Sequence, residues 1–158
     1  MTITNATEIE PWVPCLHAFP GFEIISCEHT ASFPSEELGA YLTGRIDRIS
    51  RNKEGALLID YKKKNRLNRN DLLGENRVSF QMPFYDLLAR KAGMEVAHIA
   101  YYDIEGKKFS HVLRPPPGKS WTDREGLQGL VEKTRDAVKH MISSLNQGSY
   151  QCTRDSKR

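Results

Sequence analysis

The chain has 158 residues, of which 39% are hydrophobic and 27% charged, and its net charge at pH 7 is +3. These values fit one soluble globular domain with a core of ordinary size and exclude a disordered chain. No run of about 18 apolar residues occurs, and the N-terminus lacks a basic segment followed by an apolar block, so neither a transmembrane helix nor a secretory signal is expected.

The cysteines indicate the compartment. Cys15, Cys27 and Cys152 are odd in number and widely spaced. This pattern argues against a disulfide framework and fits a reducing environment. We therefore expect a cytoplasmic protein without membrane contact.

The first half of the chain predicts a lead-in followed by three strands. Residues 1–21 contain three prolines and no regular hydrophobic period, which predicts an irregular segment. The predicted strands cover residues 22–33, 40–49 and 57–63. Residues 56–59 form an apolar run typical of a strand buried on both faces, and the polar residues 51–55, which end in glycine, predict a hairpin turn before it.

The second and third predicted strands carry residues suited to a metal site. Asp47 lies in GRIDRIS and Asp60 in LLIDYKKK, and a hairpin between them could bring both carboxylates to one end of the sheet. Converging carboxylates suit Mg²⁺ or Mn²⁺. Lys62 leaves the same strand face as Asp60 and could orient or deprotonate an attacking water. The alternative is that Asp60 and Lys62 form a surface ion pair on an edge strand.

A basic cluster follows the third strand. Five cations fall within eight residues: Lys62, Lys63, Lys64, Arg66 and Arg69. Such a cluster could hold a phosphate backbone. The interleaved asparagines also fit a solvated, mobile loop, and the absence of aromatic residues there gives no support for base stacking.

The second half of the chain predicts helices on either side of two further strands. Residues 67–74 are interpreted as a disordered segment or a short helical turn. The spacing of Phe80, Phe84, Leu87 and Leu88 predicts an amphipathic helix over residues 78–92. Strands are predicted at residues 96–104 and 109–113, with His98 and His111 as core or edge histidines.

A long C-terminal helix follows, with a capping box formed by Thr122 and Glu125 and an end at Gly148. Its predicted apolar stripe includes Leu127, Leu130, Val131, Thr134, Val138, Met141, Ile142 and Leu145. We expect the domain to cover residues 22–148 and the basic, polar tail at 149–158 to be disordered.

Three segments occur in a recognisable order: GRIDRI, then IDYK, then QMPFY, which has the form Q-x-x-x-Y. Together they resemble the PD-(D/E)XK nuclease superfamily. More narrowly, they resemble its RecB-like branch, found in helicase–nuclease repair complexes and CRISPR-associated exonucleases. The resemblance implies a restriction-endonuclease-like α/β core, with a central mixed sheet of about four or five strands flanked by helices.

The resemblance also implies roles for individual residues. Asp47 and Asp60 would bind the metal together with the backbone carbonyl of Tyr61, and Lys62 would be the catalytic lysine. Gln81 and Tyr85 would face the active site and the DNA, although Tyr85 taken without the resemblance is more typical of a core aromatic residue with its hydroxyl bonded. Lys63, Lys64, Arg66 and Arg69 are the further candidates for DNA contact.

The implied function is a Mg²⁺- or Mn²⁺-dependent DNA exonuclease acting in repair or recombination. We expect it to be the C-terminal part of a larger protein, with DNA and a helicase or other repair subunit as partners. Some RecB-like nucleases carry a four-cysteine iron–sulfur cluster with three cysteines near the C-terminus. Only Cys152 is found there, so no cluster is expected.

One element of the family pattern is missing. An acidic or histidine ligand usually lies on a helix well before the first strand, whereas here Glu28 and His29 lie in a predicted strand and His17 lies in the lead-in. Either the metal site lacks this ligand or a missing part of a longer protein supplies it. A catalytically inactive DNA-binding or scaffold module is therefore the alternative, and a different phosphoesterase or an RNA-directed enzyme also fits the residues.

Overall fold

The computed structural model describes residue 19 and residues 21–74, 79–115 and 118–149. Within these ranges, one sheet is built from β1 (Glu23–Ser35), β2 (Ala40–Asn52), β3 (Gly55–Lys62), β4 (Val96–Asp103) and β5 (Lys108–Leu113). The helices there are α1 (Arg69–Leu73), α2 (Gln81–Lys91) and α3 (Arg124–Asn146). The strands lie side by side in chain order; β3 and β4 are parallel, and the other neighbouring pairs are antiparallel. The predicted α/β class with a mixed sheet is confirmed.

Strand β3 is the centre of the sheet. A two-residue turn joins it to β2, because Asn52 pairs with Gly55. Its apolar run is buried on both faces, as predicted, and β2 and β4 flank it. The alternative that Asp60 and Lys62 lie on an edge strand is therefore wrong.

Helix α2 connects β3 to the parallel strand β4 and packs with α3 on one face of the sheet. The stripe predicted for α2 is only partly right: Leu88 is fully buried, but Phe80 is 41% exposed. Met82 and Tyr85 lie in the core instead. Phe80 precedes the first helical residue, Gln81, so the buried face of α2 is rotated from the predicted one.

A buried ion pair joins α2 to α3. Asp86 is fully buried, and its Oδ1 lies 2.8 Å from Arg124 of α3. The same guanidinium donates a hydrogen bond to the carbonyl of Val96 at the start of β4. Helix α2 is thereby fixed against both α3 and the sheet.

The short helix α1 confirms the helical interpretation of residues 67–74. Asn68 caps it by accepting a hydrogen bond from Asn70 N, and Asp71 accepts one from Asn68 N, both at 2.8 Å. These reciprocal bonds form a capping box. Helix α1 begins seven residues after the end of β3.

The predicted N-cap of the long helix is wrong by one residue. Asp123 caps α3 by accepting a hydrogen bond from Gly126 N at 2.8 Å. The N–H of Thr122 donates to the carbonyl of Val112, so it is not available to the side chain of Glu125 as the predicted capping box requires, and Trp121 N–H donates to the carbonyl of His111. These bonds hold residues 121 and 122 against β5, so the helix starts later.

The opposite face of the sheet carries a second core with many aromatic residues. Phe19 lies within 6 Å of His98, Phe109 and His111, measured between ring centroids. His98 is buried and His111 is half-buried, in agreement with their interpretation as core or edge histidines.

Most of the predicted lead-in and all of the predicted tail except Ser149 lie outside the described residues. In the described ranges, no helix is both long and apolar enough to cross a membrane.

Candidate active site

The β2–β3 hairpin brings the two predicted acidic residues together. Arg48 pairs with Ile59, so Asp47, in the middle of β2, and Asp60, near the end of β3, are neighbours where the pairing of the two strands ends. Asp47 Oδ2 accepts a hydrogen bond of 2.9 Å from Tyr61 N. Asp60 is only 1% exposed, and burial raises the pKa of its carboxyl; the adjacent Asp47 raises this pKa further, whereas Lys62 lowers it.

Lys62 completes the group from the same strand. Its Nζ lies 2.7 Å from Asp60 Oδ2 and donates a hydrogen bond of 2.9 Å to Gln81 Oε1. The Lys62 side chain is 32% exposed, so it is fixed by Asp60 and Gln81 and still partly open to solvent.

Helix α2 supplies the remaining two predicted residues. Gln81 Nε2 donates hydrogen bonds to Asp60 Oδ1 at 2.6 Å and to the Tyr85 hydroxyl at 2.8 Å. Burial raises the pKa of Tyr85, and the negative charges of Asp60 and Asp47 raise it further, while Arg45 acts in the opposite direction. The phenol therefore remains protonated at neutral pH.

Gly44 permits this close approach of α2 to β2. A Cβ atom on Gly44 would lie 2.6 Å from Leu88 Cδ1 and 3.0 Å from Phe84 Cε1. The lack of a side chain lets the helix pack directly on the strand through Phe84, one turn after Gln81, and Leu88, one turn after Tyr85. This gives a physical reason for glycine at the start of G-x-x-D.

The alternation of side chains in β2 is interrupted just before Asp47. Ile46 and Ile49 belong to the same core cluster, although residues three apart in a regular strand face opposite sides. Opposite this point, Glu28 of β1 has a φ of 49°. Its neighbours Cys27 and His29 pair with Arg48 and Ile46, so Glu28 lies across from Asp47. Such irregularities often re-aim a side chain beside an active site.

Arg48, the second arginine of GRIDRI, points to the other face of the sheet. It is 2% exposed and donates hydrogen bonds to Ser50 Oγ at 2.9 Å and to the Tyr61 hydroxyl at 3.3 Å. These contacts tie β2 to β3 underneath the acidic pair, which is a structural role.

Tyr101 and Ser79 are site neighbours that the sequence analysis missed. Tyr101 pairs with Asp60 across β3 and β4, and its ring centroid lies 5.8 Å from Lys62 Nζ, within cation–π range. Its hydroxyl lies 3.0 Å from Ser79 Oγ, and burial raises its pKa to about 12. Only the parallel register of β4 could have shown which of the aromatic residues in VAHIAYYDI reaches Lys62.

The basic cluster runs from the last residue of β3, through the connection, to the first residue of α1. Exposed side chains are found at Lys63, Lys64, Arg66 and Arg69. This exposure is compatible both with phosphate binding and with a solvated loop. The connection is anchored, however: Lys63 O accepts a hydrogen bond from Glu105 N, and Arg69 Nε donates one to Trp121 O. The structure does not bring these four residues into contact with the acidic pair.

The donor set fits a divalent cation. Asp60 Oδ2 is buried and has Lys62 Nζ beside it as an ion pair, without a well-directed hydrogen bond. Among the described residues, no third His, Cys, Asp or Glu joins Asp47 and Asp60 to form a larger cluster. Mg²⁺ commonly binds through one or two carboxylates and retains several waters, so two carboxylates are a sufficient protein contribution.

Comparison with known families agrees with this geometry. A sequence model of the PD-(D/E)XK nuclease superfamily matches residues 5–157, nearly the whole chain. The chain therefore belongs to the PD-(D/E)XK nuclease superfamily, which makes it a nuclease by family, with the restriction-endonuclease-like α/β fold. Members typically use divalent metals, and DNA is the substrate class that the family suggests. No curated protein matches the chain.

Proposed function

We propose that this protein is a Mg²⁺- or Mn²⁺-dependent DNA nuclease of the RecB-like branch that hydrolyses phosphodiester bonds at the Asp47–Asp60 site. The observation that carries the proposal is the convergence of four side chains around the buried carboxylate of Asp60. Asp60 touches Lys62 and Gln81, Gln81 touches Tyr85, and the charge of Asp47 acts on Asp60.

Each residue has a role that follows from its contacts. Asp47 and Asp60 would hold the cation, with the carbonyl of Tyr61 as a further oxygen ligand. When bound, the cation would polarise the scissile phosphate and favour ionisation of the attacking water. Lys62 has a partly exposed side chain next to this position and would stabilise negative charge developing on the phosphate. Gln81 fixes the positions of the Asp60 and Lys62 side chains by hydrogen bonds to both.

Two observations support the RecB-like assignment over a more general one. Gln81 and Tyr85, four residues apart on α2, both belong to the hydrogen-bonded network at Asp60 and form the Q-x-x-x-Y motif. With this assignment we propose exonuclease action and a role in DNA repair or recombination. We also propose a helicase or repair subunit as partner and a cytoplasmic location. The proposed outer phosphate contacts are Lys63, Lys64, Arg66 and Arg69. The guanidinium of Arg69 already donates a hydrogen bond to Trp121 O.

A DNA-binding module without catalysis is the second candidate. It is favoured by one observation: only Asp47 and Asp60 offer carboxylates at this site in the described part of the chain. This candidate requires that a cation held by these two carboxylates bind too weakly for turnover, whereas the nuclease proposal requires that water and DNA phosphate complete its ligands. The two candidates differ in whether metal-dependent cleavage occurs.

The test combines metal binding with cleavage. The purified chain is titrated with Mn²⁺ by calorimetry, then incubated with linear and circular DNA, each single- or double-stranded, with and without Mn²⁺ or Mg²⁺. We expect saturable binding and cleavage of linear DNA only. Asp60→Asn should abolish binding, and Lys62→Met should retain binding but reduce cleavage by at least ~100-fold, since it removes transition-state charge stabilisation.

Matched controls are available on α3. Asp136 and Lys133 are exposed residues of that helix, so Asp136→Asn and Lys133→Met make the same chemical changes away from the site. Both should behave like the wild type. Metal binding that depends on Asp60 without any cleavage would favour the DNA-binding module, and absence of binding would reject the proposed metal site.

A further inference from the structure

An exposed lysine on β5 lies at the same end of the sheet as the candidate active site. Lys108 is the first residue of β5 and pairs with Asp103, the last residue of β4, which also pairs with Lys62, the last residue of β3. Directly opposed residues leave the same face of a sheet, so the Lys108 side chain leaves it on the active-site face. Since neighbouring strands are about 5 Å apart, the backbone of Lys108 lies about 10 Å from that of Lys62.

The connection that follows β3 is bonded to the β4–β5 hairpin. Glu105 N–H, in the turn of the hairpin, donates to the carbonyl of Lys63 at 3.0 Å. Asn65 Nδ2 donates to Ser110 Oγ at 3.2 Å. Ser110 is two residues along β5 from Lys108 and therefore shares its face. The cations that flank Asn65 in the sequence are thus brought near Lys108, a residue that the sequence analysis did not connect with them.

The turn that precedes Lys108 is held in place by Asp103. The side chain of Asp103 is buried, and its Oδ1 accepts a hydrogen bond of 2.8 Å from Gly106 N. A Cβ atom on Gly106 would lie 2.8 Å from Asp103 Oδ2, so the turn packs closely on this carboxylate. The backbone that carries Lys108 is therefore ordered in advance, which lowers the entropy cost of binding a ligand there.

Four exposed cations of this region have no ion-pair partner among the described residues. By contrast, Arg124 of α3 pairs with Asp86, and Arg135 pairs with Glu37. Glu105 is the one exposed acid within residues 62–69 and 103–108, so the region carries a net positive charge. We call the four cations the basic patch; they are Lys63, Lys64, Arg66 and Lys108.

From this arrangement, we infer that Lys108 contacts the phosphate backbone of the substrate, and that the DNA leaves the candidate active site across the ends of β4 and β5. The inference rests on the proposed nuclease function and adds to it a contact residue and the direction of the bound DNA. Unpaired cations that neutralise phosphates release condensed counterions, and this gives affinity without sequence preference.

The first test measures DNA binding without cleavage. Fluorescence anisotropy of labelled duplex and single-stranded oligonucleotides is followed in EDTA over a range of salt concentrations. We expect Lys108→Gln to weaken binding to both and to reduce the slope of log K against log salt concentration by about 0.9 for duplex DNA and about 0.7 for single strands, the contribution of one phosphate contact. Lys53→Gln is the matched control, because Lys53 is an exposed lysine of the β2–β3 turn, at the other end of the sheet. It should retain the wild-type slope.

A second test locates the contact on the substrate. One phosphate at a time is replaced by a neutral methylphosphonate, and KM for cleavage in Mn²⁺ is measured for the wild type and for Lys108→Gln. We expect KM of the wild type to rise for replacements on one side of the cut. At one of these positions the rise should be absent in Lys108→Gln, since the charge that contacts this phosphate is already removed.

The outcomes separate this inference from the proposed function. If Lys108→Gln bound DNA with the same slope as Lys53→Gln while the wild type cleaved DNA, Lys108 would be a solvated surface residue, and the inference would be wrong with the nuclease intact. The inference would also fail if every methylphosphonate had the same effect on both proteins. A reduced slope for Lys108→Gln in a chain that never cleaves DNA would support the contact and reject the nuclease.

Discussion

Gln81 Nε2 lies 2.6 Å from Asp60 Oδ1, so a helix residue holds the buried carboxylate of the central strand. The same amide binds Tyr85 and Lys62. Because Gln81 has no charge of its own, its contribution is to fix the directions of Asp60 and Lys62. Groups that orient metal ligands are typically worth 10- to 100-fold in metal affinity or activity.

We therefore expect Gln81→Leu, which keeps the apolar stem and removes the amide, to reduce cleavage by roughly 10- to 100-fold. Thermal unfolding should change little, since Gln81 is only half-buried. The matched control is Gln128→Leu, which removes a glutamine of α3 whose amide contacts Arg90 and Glu132 away from the site. Equal activity of the two variants would contradict the positioning role.

Gly44 should be intolerant of even one added carbon. Gly44→Ala would place Cβ 2.6 Å from the buried Leu88 side chain, so α2 must move or the core must repack. We expect a loss of about 1–3 kcal/mol in the free energy of unfolding, the usual cost of overpacking, measured by urea denaturation, with a loss of cleavage because Gln81 and Tyr85 move with the helix.

Gly129 provides the comparison for that measurement. A Cβ on Gly129 in α3 meets nothing within 4 Å, so Gly129→Ala should stabilise the protein by about 0.5–1 kcal/mol. If Gly44→Ala were equally harmless, the close packing of α2 on β2 would not be the reason for glycine at this position.

The sequence contained enough information to predict the sheet and the acidic pair. The apolar run before Asp60 and the glycine-ended turn before it predicted a buried strand in a hairpin, and Asp47 and Asp60 lie on either side of that turn. Hydrophobic periodicity and turn composition are local signals, and both were sufficient here.

Features that depend on contacts between distant segments could not be predicted in the same way. Tyr101 reaches Lys62 only through the parallel pairing of β4 with β3. Asp123 rather than Thr122 caps α3, and Thr122 is held to β5 by the bond from its N–H to Val112. Neither partner can be identified from local sequence.

The conformation of Glu28 is another such feature and leads to a prediction. Its φ of 49° lies opposite Asp47, where the alternation of β2 is interrupted. Glycine adopts this φ without strain, whereas a β-branched residue does not. We expect Glu28→Gly to retain Mn²⁺ affinity in calorimetry and Glu28→Val to weaken it by about 10-fold or more, since Asp47 would lose its direction.

Lys107, in the turn before β5, has the same φ of 49° far from the site. Lys107→Val should therefore cost about 1–2 kcal/mol of stability, as Glu28→Val should, without weakening Mn²⁺ binding. If Glu28→Gly weakened Mn²⁺ binding as much as Glu28→Val, the carboxylate of Glu28 rather than its backbone conformation would be responsible.

The aromatic core on the other face of the sheet predicts sensitivity to acid. Burial lowers the pKa of His98 and His111; the Arg114 charge lowers both further, while Glu54, 3.6 Å from His98 Nε2, acts in the opposite direction on His98. In the unfolded chain, histidine titrates near pH 6.5. As the pH falls through about 6.5, the unfolded state therefore binds more protons than the folded state. The free energy of unfolding decreases as the solution becomes acidic.

We expect the free energy of unfolding of the wild type, measured by urea denaturation from pH 8 to pH 5, to decline below about pH 6.5. His98→Leu should decline less steeply, because one of the two protonation sites is removed from an environment of Phe19 and Phe22 rings. His140→Leu, on the exposed surface of α3, should retain the wild-type slope. The raised pKa of Asp60 changes the free energy of unfolding in the opposite direction as the pH falls. Asp60 is present in all three proteins, so the difference between the slopes of wild type and His98→Leu reports on His98. Parallel curves for wild type and His98→Leu would show that His98 is not a source of the acid sensitivity.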